Sequence, residues 1–164
     1  MTYQLFRYPG NVTEPRWLSA HEQRAWRGYL DMHAQLTARL HRQLQADSGL
    51  SLSDFDVLVQ LTDRPEERAR VLELAQSLQW EKSRLSHHLA RMQQRGLVTR
   101  EHCPDDARGA FVVLTATGRA AIERAAPPHV ETVRDLLFDQ LDEKQVDTLR
   151  SITEQVLGRL EQDR

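Results

Sequence analysis

The 164-residue chain has one cysteine and no long apolar run. A disulfide within the chain is excluded because Cys103 has no partner, and a cytoplasmic location is the default expectation. A membrane-spanning helix needs about 18 or more consecutive apolar residues, and the sequence contains no such run. The opening residues, MTYQLFRYPGN, lack the basic and apolar regions of a signal peptide. These absences predict a globular protein with no membrane partner.

Sequence patterns typical of enzymes are also missing. The chain has no phosphate-binding glycine loop, no nucleophile elbow and no metal motif with ligand spacing. Its seven histidines include no pair spaced i, i+4 on one predicted helix, so only a zinc site assembled from separate helices stays open. A redox role for Cys103 is a second minor alternative. We therefore predict a protein that is not an enzyme, with no cofactor and no bound metal.

Acidic residues are absent from one stretch in particular, residues 82–100. The whole chain has a net charge of −2, but this stretch carries five cations: Lys82, Arg84, Arg91, Arg95 and Arg100. At about 100° per residue, Leu85, Leu89 and Met92 fall on one side of a helix. The opposite side carries Ser83, Arg84, His87, Arg91 and Gln94. Such a face suits phosphates and guanine edges, whereas an ordinary solvated face normally includes acids.

Hydrophobic periodicity and turn residues predict six helices and two strands. The helices are predicted at about Ser19–Asp47, Ser51–Asp63, Val71–Leu78 and Lys82–Arg95, with two more starting near Ala116 and Asp142. The strands are Leu97–His102 and Ala110–Leu114, and the turn residues Pro104–Gly109 join them. A short turn between the third and fourth helices gives helix-turn-helix spacing, and the strand pair then forms a β-wing.

Several local expectations accompany these elements. Ser19 and Glu22 have the spacing of a capping box, and Ser53 is expected to cap the second helix. Leu72 is expected to face inward from the third helix, after a polar loop over residues 64–70. At Pro127 we expect a kink or a new helix start, because proline removes a helix hydrogen bond.

The predicted fold class is mostly α with a small β-wing, a winged helix-turn-helix. Residues 1–50 would form an N-terminal arm and a first dimerisation helix, 51–115 the DNA-binding lobe, and 116–164 C-terminal dimerisation helices, all within one integrated domain. The terminal helices carry more apolar surface than so small a lobe can cover, so we expect a homodimer. The alternative is a compact monomeric bundle.

This order of elements resembles the MarR family of bacterial transcription regulators. The resemblance rests on SRLSHHLARMQQRGLVTR, on the wing residues Asp106-Ala107-Arg108 and on LTATGRAA after the wing. It implies a homodimer that binds a pseudo-palindromic operator on double-stranded DNA, usually as a repressor, and so associates with the nucleoid. It also implies that Arg108 enters the minor groove and that Asp106 helps to hold the wing.

One position departs from the family pattern. Many relatives have Ser or Thr at the start of the third helix, where it contacts a phosphate, but this chain has Arg70-Val71-Leu72. Arg68 or Arg70 is the candidate replacement for that contact.

The residues predicted to contact DNA fall into three groups. Arg84 and Arg91 are the first candidates for the major groove, Ser83, Ser86 and His87 come next, and Lys82 and Arg95 are assigned to phosphates. The alternative is a solvated basic face, which would fit a winged-helix module that binds protein and not DNA. In the family a small-molecule effector binds between the DNA-binding and dimerisation lobes. The candidate effector residues are Trp26, Tyr29, His33 and Phe55, whose alternative role is in the core.

Overall fold

The structure, a computed structural model, describes residues 15–103 and 106–162, without the side chains of residues 103–109. The described residues form two compact units that divide within the first helix, between Gln35 and Leu36. That helix, α1, spans Ala20–Ser48. The remaining elements belong to the second unit.

The start of α1 follows the predicted chemistry. The Ser19 backbone N–H donates to the Glu22 carboxylate at 2.7 Å, and the Glu22 N–H donates to the Ser19 hydroxyl at 3.2 Å. This reciprocal pair is the predicted capping box. At the other end Gly49 has φ +67°, a left-handed conformation that glycine adopts without steric cost and that ends the helix.

The second unit contains five further helices and one small sheet. The helices are α2 (Leu52–Thr62), α3 (Val71–Leu78), α4 (Lys82–Gln94), α5 (Ala116–Leu136) and α6 (Glu143–Glu161), with 3-10 turns at Pro65–Glu67 and Phe138–Gln140. The strands are β1 (Arg68–Arg70), β2 (Val98–Cys103) and β3 (Asp106–Leu114). They pair antiparallel in the order β1-β3-β2, with Ala69 opposite Val112 and Thr99 opposite Val113. The predicted helices and the β-wing are confirmed.

The core of this unit lies where α2, α3, α4 and the sheet meet. Its fully buried side chains are Leu44, Leu50, Val57, Leu58, Leu61, Leu74, Leu85, Leu89, Met92, Val98 and Val112. Three of them come from α4, so burial of apolar area fixes the rotation of that helix about its axis. None of the helices in the described part of the chain combines the length and apolarity needed to cross a bilayer.

The motif LTATG, residues 114–118, begins α5 and contacts the residues that follow the end of α4. Thr115 caps α5 by accepting from the Gly118 N–H at 3.0 Å, and its hydroxyl also lies 2.6 Å from the carbonyl oxygen of Gly96. A Cβ on residue 118 would overlap the carbonyl oxygen of Leu97. Glycine is therefore required where α5 crosses the strand that leaves α4.

Two local predictions were wrong, and of the two outcomes expected at Pro127 the new helix start does not occur. Residues 68–70 form β1 and not a loop, because their backbone pairs with β3 although only Ala69 is buried. Leu72 is 55% exposed, since it points about 200° away from Leu74 on the short α3. At Pro127 α5 continues without a new start, and the carbonyls that lose helix partners belong to the exposed residues Glu123 and Arg124, where water can reach them.

The cap of α2 is Ser51, not Ser53. The Asp54 N–H donates to the Ser51 hydroxyl at 3.0 Å, and the Ser51 N–H donates to the Asp54 carboxylate at 2.8 Å. Ser53 and Asp56 have the same spacing as Ser51 and Asp54, so this spacing does not distinguish the two serines. The helix begins where its acid can also contact α4, as described below.

We expect Ser51→Ala to lower the free energy of unfolding by about 1 kcal/mol, the usual cost of losing a cap. Ser53→Ala is the matched control and should change it by less than about 0.5 kcal/mol. Urea unfolding of both variants measures the difference. Equal losses would show that the Ser51 hydroxyl does not cap α2.

Candidate nucleic-acid interface

The turn between α3 and α4 holds the two helices as a helix-turn-helix. Gln79 adopts φ +55°, and the Trp80 N–H donates to the carbonyl oxygen of Ala75 at 2.9 Å. Since Leu85, Leu89 and Met92 are completely buried beneath α4, the opposite side of this helix faces solvent.

We call the exposed side the outer face of α4, defined by Ser83, Arg84, His87, Arg91 and Gln94, all of which are exposed. The predicted division of the helix into two faces is thus confirmed. Lys82 is exposed at the start of the helix, while Ser86 is half-buried at its flank. No acid lies between residues 82 and 100, so this face offers hydrogen-bond donors without a competing carboxylate.

Arg84 is supported by an aromatic ring. Its guanidinium carbon lies 4.4 Å from the centroid of the Trp80 ring, a cation–π arrangement. The Trp80 ring in turn meets the His88 ring edge-on, with centroids 5.4 Å apart and an interplanar angle of 86°. Trp80 therefore packs between the outer face of α4 and the protein interior.

Arg91 is supported by the same histidine. Its terminal nitrogen Nη2 lies 3.1 Å from Nδ1 of His88. Because a guanidinium can only donate, Nδ1 must be the acceptor, which places the ring proton of a neutral His88 on Nε2. His88 is only 7% exposed and therefore lies on the buried side of α4.

Asp54 lies beneath His88 and is also buried. Its Oδ1 is 3.1 Å from Nε2 of His88, an approach oblique for a hydrogen bond but close enough for electrostatic attraction. Its Oδ2 accepts from Nη1 of Arg95 at 2.7 Å. Burial alone would raise the pKa of Asp54, but the contacts from His88, the Ser51 backbone, Arg95 and the Ser51 hydroxyl outweigh it and hold the pKa well below its usual value.

Arg95 is committed to these structural contacts. Besides Asp54, its guanidinium donates from Nη2 to the carbonyl oxygen of Gly49 at 2.8 Å. It thus ties the end of α4 to the start of α2. A phosphate contact through Arg95 remains a prediction, although its side chain is 44% exposed.

The base of the wing carries more arginines. Arg100 donates to the carbonyl oxygen of Ser86 at 3.0 Å and so attaches β2 to α4. Arg68 and Arg70 are exposed on β1, and their guanidinium carbons lie 4.9 Å and 5.7 Å from the centroid of the Phe111 ring. Arg68 also pairs with Glu66 at 2.5 Å. The two residues predicted to replace the phosphate contact, Arg68 and Arg70, are thus solvent-accessible arginines on the edge strand of the sheet.

Three further predicted residues belong to the wing. The side chains of Asp106, Arg108 and Cys103 are outside the described residues, although the backbone places Asp106 and Arg108 in β3. Among the described residues, no three His, Cys, Asp or Glu side chains converge to hold a metal ion.

The predicted effector residues occupy two settings. Trp26, Tyr29 and His33 stack along the exposed side of α1, with successive ring centroids 5.6 Å and 6.2 Å apart. Phe55 packs in the core against His129, with centroids 4.3 Å apart, and burial lowers the pKa of that histidine. A separate open cavity of about 340 Å³ is lined by Arg39, Arg42, Gln43, Thr132, Asp135 and Leu136. The effector role of the four predicted residues stays a prediction.

Sequence reasoning did not identify Asp54 and His88 as parts of this site. Asp54 has a signal, because Ser51 and Asp54 have capping-box spacing. His88 has no such signal in the sequence, since its contact with Asp54 joins residues that lie far apart in the chain. Only the packing of α2 on α4 brings these residues together.

Known proteins share this architecture. A family model described as the MarR family matches residues 48–109. The crystal structure of Sco3205, a MarR family transcriptional regulator from Streptomyces coelicolor in complex with DNA, superposes with a TM-score of 0.84. Its sequence is 43% identical, over 87% of this chain and 90% of Sco3205. The chain belongs to the MarR family.

Further relatives agree with this assignment. AbsC, another MarR family regulator from Streptomyces coelicolor, is 37% identical with a TM-score of 0.85, over 90% of this chain and 99% of AbsC. The transcriptional regulator HosA of Escherichia coli O111:H- is 39% identical over 94 residues, which are 57% of this chain. The matched region spans 65% of the length of HosA. The predicted family and its winged-helix fold are confirmed.

Proposed function

We propose that this MarR family protein is a sequence-specific transcription regulator that binds double-stranded DNA, with α4 in the major groove. The observation that carries the proposal is the outer face of α4, on which Arg84 and Arg91 are each held by a contact with a neighbouring side chain. Arginine reads guanine by donating two hydrogen bonds to its O6 and N7 atoms. The relative Sco3205 was crystallised in complex with DNA, which supports this assignment.

The other predicted contacts complete the interface. Ser83 and His87 share the outer face of α4 and are assigned to bases or phosphates, with Ser86 at its flank. Lys82, Arg68 and Arg70 are assigned to phosphates because they are exposed cations around the helix-turn-helix and the sheet. Arg108 is assigned to the minor groove and Asp106 to support of the wing, on the family pattern. We assign repression as the mode of action on the same pattern.

We further propose that the protein acts as a homodimer through its terminal helices. Helix α6 contains no buried residue, and it exposes Ile152, Val156, Leu157 and Leu160 by 53–59% each. On α1, Trp26, Tyr29, Leu30 and Met32 are exposed by 42–52%. An exposed apolar surface of this extent is typical of an interface. A two-fold dimer would present two α4 helices to the two halves of a pseudo-palindrome.

The competing function is a winged-helix module that binds protein. A protein partner does not require the absence of acids over residues 82–100, whereas DNA phosphates repel every carboxylate on the facing surface. The charge pattern therefore favours DNA.

Selection from a random-sequence DNA duplex library with the full chain tests the proposed function. We expect the recovered sequences to converge on an inverted repeat whose half-site centres lie about 10 base pairs apart, or a multiple of this distance. We call the recovered site the selected operator. Recovery of unrelated sequences at every salt concentration would favour the protein-binding module instead.

The dimer gives a further prediction. Val156→Glu should raise the dimer dissociation constant by at least about a hundredfold, since an unpaired charge buried in an interface costs about 3 kcal/mol or more. Ser151→Glu adds the same charge to the opposite side of α6 and is the matched control. Sedimentation equilibrium measures both constants. Equal constants for Val156→Glu and the control would place the dimer interface elsewhere.

A further inference from the structure

His88 is buried, yet it touches the supports of both arginines on the outer face of α4. Nδ1 accepts from Arg91, and the ring edge packs against Trp80, whose own ring carries Arg84. No other residue in the described part of the chain has both contacts. His88 itself is 7% exposed and lies behind the helix surface, so we expect it to act through these side chains and not to touch DNA itself.

The contact with Arg91 restricts an otherwise mobile side chain. Arginine has several rotatable bonds, and their freedom is lost when the guanidinium is fixed against a base. An acceptor 3.1 Å from Nη2 already limits the orientation of Arg91 before DNA binds. Such preorganisation lowers the entropy loss on binding and favours one base geometry over others.

The contact with Asp54 determines which ring nitrogen accepts. The carboxylate lies 3.1 Å from Nε2 and attracts the ring proton to that nitrogen, which leaves Nδ1 free to accept. Asp54 is held in turn by the Ser51 N–H and by Arg95. A chain of contacts thus runs from the start of α2 through the imidazole to the outer face of α4.

We infer that His88 is a positioning residue for DNA recognition, whose Nδ1 orients Arg91 for its base contact while Asp54 holds the ring in the accepting tautomer. The inference rests on the proposed function, since it assigns a cause to the orientation of a proposed base-reading side chain. The competing role for His88 is purely structural, as a core residue that compensates the Asp54 carboxylate.

Two substitutions distinguish the positioning role of His88 from the structural one, because each keeps the function of only one of the two ring nitrogens. In His88→Asn the side-chain oxygen lies near the position of Nδ1, so the acceptor for Arg91 is kept and the contact with Asp54 is lost. In His88→Gln the amide nitrogen lies near the position of Nε2, so the donor to Asp54 is kept and the acceptor for Arg91 is lost. His129→Gln removes another partly buried histidine, which contacts Gln43 and Phe55, and is the matched control.

The measured quantity is the ratio of affinities for the selected operator and for a scrambled duplex. We expect His88→Asn and His129→Gln to keep the wild-type ratio, and His88→Gln to lower it by about tenfold, the value of one good base contact. In the Arg91→Ala background, His88→Gln should have no further effect on the ratio, because the residue it acts through is gone. Nitrogen NMR of the folded wild-type protein should show His88 with its proton on Nε2.

Three outcomes would overturn the inference. The first is a larger loss of the ratio in His88→Asn than in His88→Gln, which is the order expected of a structural residue. The second is a full effect of His88→Gln in the Arg91→Ala background. The third, which does not depend on the variants folding, is a wild-type proton on Nδ1. Failure of the proposed function differs from all of these, since the selection would then recover no inverted repeat.

Discussion

Replacing Arg84 and Arg91 together by alanine should lower the affinity for the selected operator by about a thousandfold, with fold and dimer intact. Each arginine that reads a base contributes about 1 kcal/mol or more of discrimination, and a homodimer uses each residue twice. Four such contacts amount to about 4 kcal/mol, and about 1.4 kcal/mol corresponds to a factor of ten. Fluorescence anisotropy with the labelled operator measures the loss.

Stability should change little in this variant. Both arginines are exposed, and neither forms part of the buried core. Loss of the stack on Trp80 and of the bond to His88 removes contacts at the surface, which are worth about 1 kcal/mol or less each. Circular dichroism and sedimentation should therefore report a folded dimer.

Two controls distinguish base reading from charge. Arg124→Ala with Arg150→Ala removes two exposed arginines from α5 and α6, and it should leave operator affinity within about threefold of wild type. Arg84→Lys with Arg91→Lys keeps the charge but not the planar fork, so binding to a scrambled duplex should persist while operator preference is lost. Unchanged operator affinity in the alanine variant would show that Arg84 and Arg91 do not contact the operator and that α4 is not the reading helix.

Asp54→Asn should lower the free energy of unfolding by about 3 kcal/mol at neutral pH. The substitution leaves the guanidinium of Arg95 without its carboxylate, and breaking a buried pair by removing one partner typically costs about 3–5 kcal/mol. The lower end applies because the Arg95 side chain is 44% exposed and water can solvate it. Urea unfolding measures the loss.

Asp56→Asn is a control on the same helix with the opposite expectation. Burial raises the pKa of Asp56, so its ionised form is disfavoured in the folded state. A neutral amide at this position should leave stability unchanged or increase it slightly. A similar loss in both variants would mean that the Asp54 contacts have no special energetic role.

The pH dependence of the Asp54 effect has a definite sign. The folded-state pKa of this carboxyl lies below its unfolded value of about 3.9, so its contribution is complete above that value and is lost as the pH falls below it. The stability difference between wild type and Asp54→Asn should therefore be constant from about pH 6 to 5 and should shrink below about pH 4. A difference that grows on acidification would contradict the assigned pKa shift.

Much of the fold follows from the local sequence. The burial of Leu85, Leu89 and Met92 under α4 and the capping box at the start of α1 were predicted correctly because both depend on residues close together in the chain. The strand β1 was missed because its backbone bonds to β3, more than 40 residues away, determine it. Leu72 was misplaced because α3 is too short for its periodicity to define one face.

The candidate site, like the fold, was predicted from the sequence only where it depends on residues close together in the chain. The outer face of α4 was identified from its helical spacing and from the absence of acids, which are both local properties. The buried side chains behind this face, Asp54 and His88, were not identified, because their contact depends on how α2 packs on α4. At about 100° per residue His88 lies between the two sides of α4, and only its neighbours on α2 and at Trp80 show that it is a buried residue.

The central claim is that two α4 helices of one homodimer read two half-sites on the same side of the DNA. Inserting five base pairs between the half-sites of the selected operator moves one of them about half a helical turn away. We predict that the affinity of the 164-residue chain for the lengthened operator then falls to its affinity for a duplex with a single half-site. Undiminished affinity for the lengthened operator would contradict the claim.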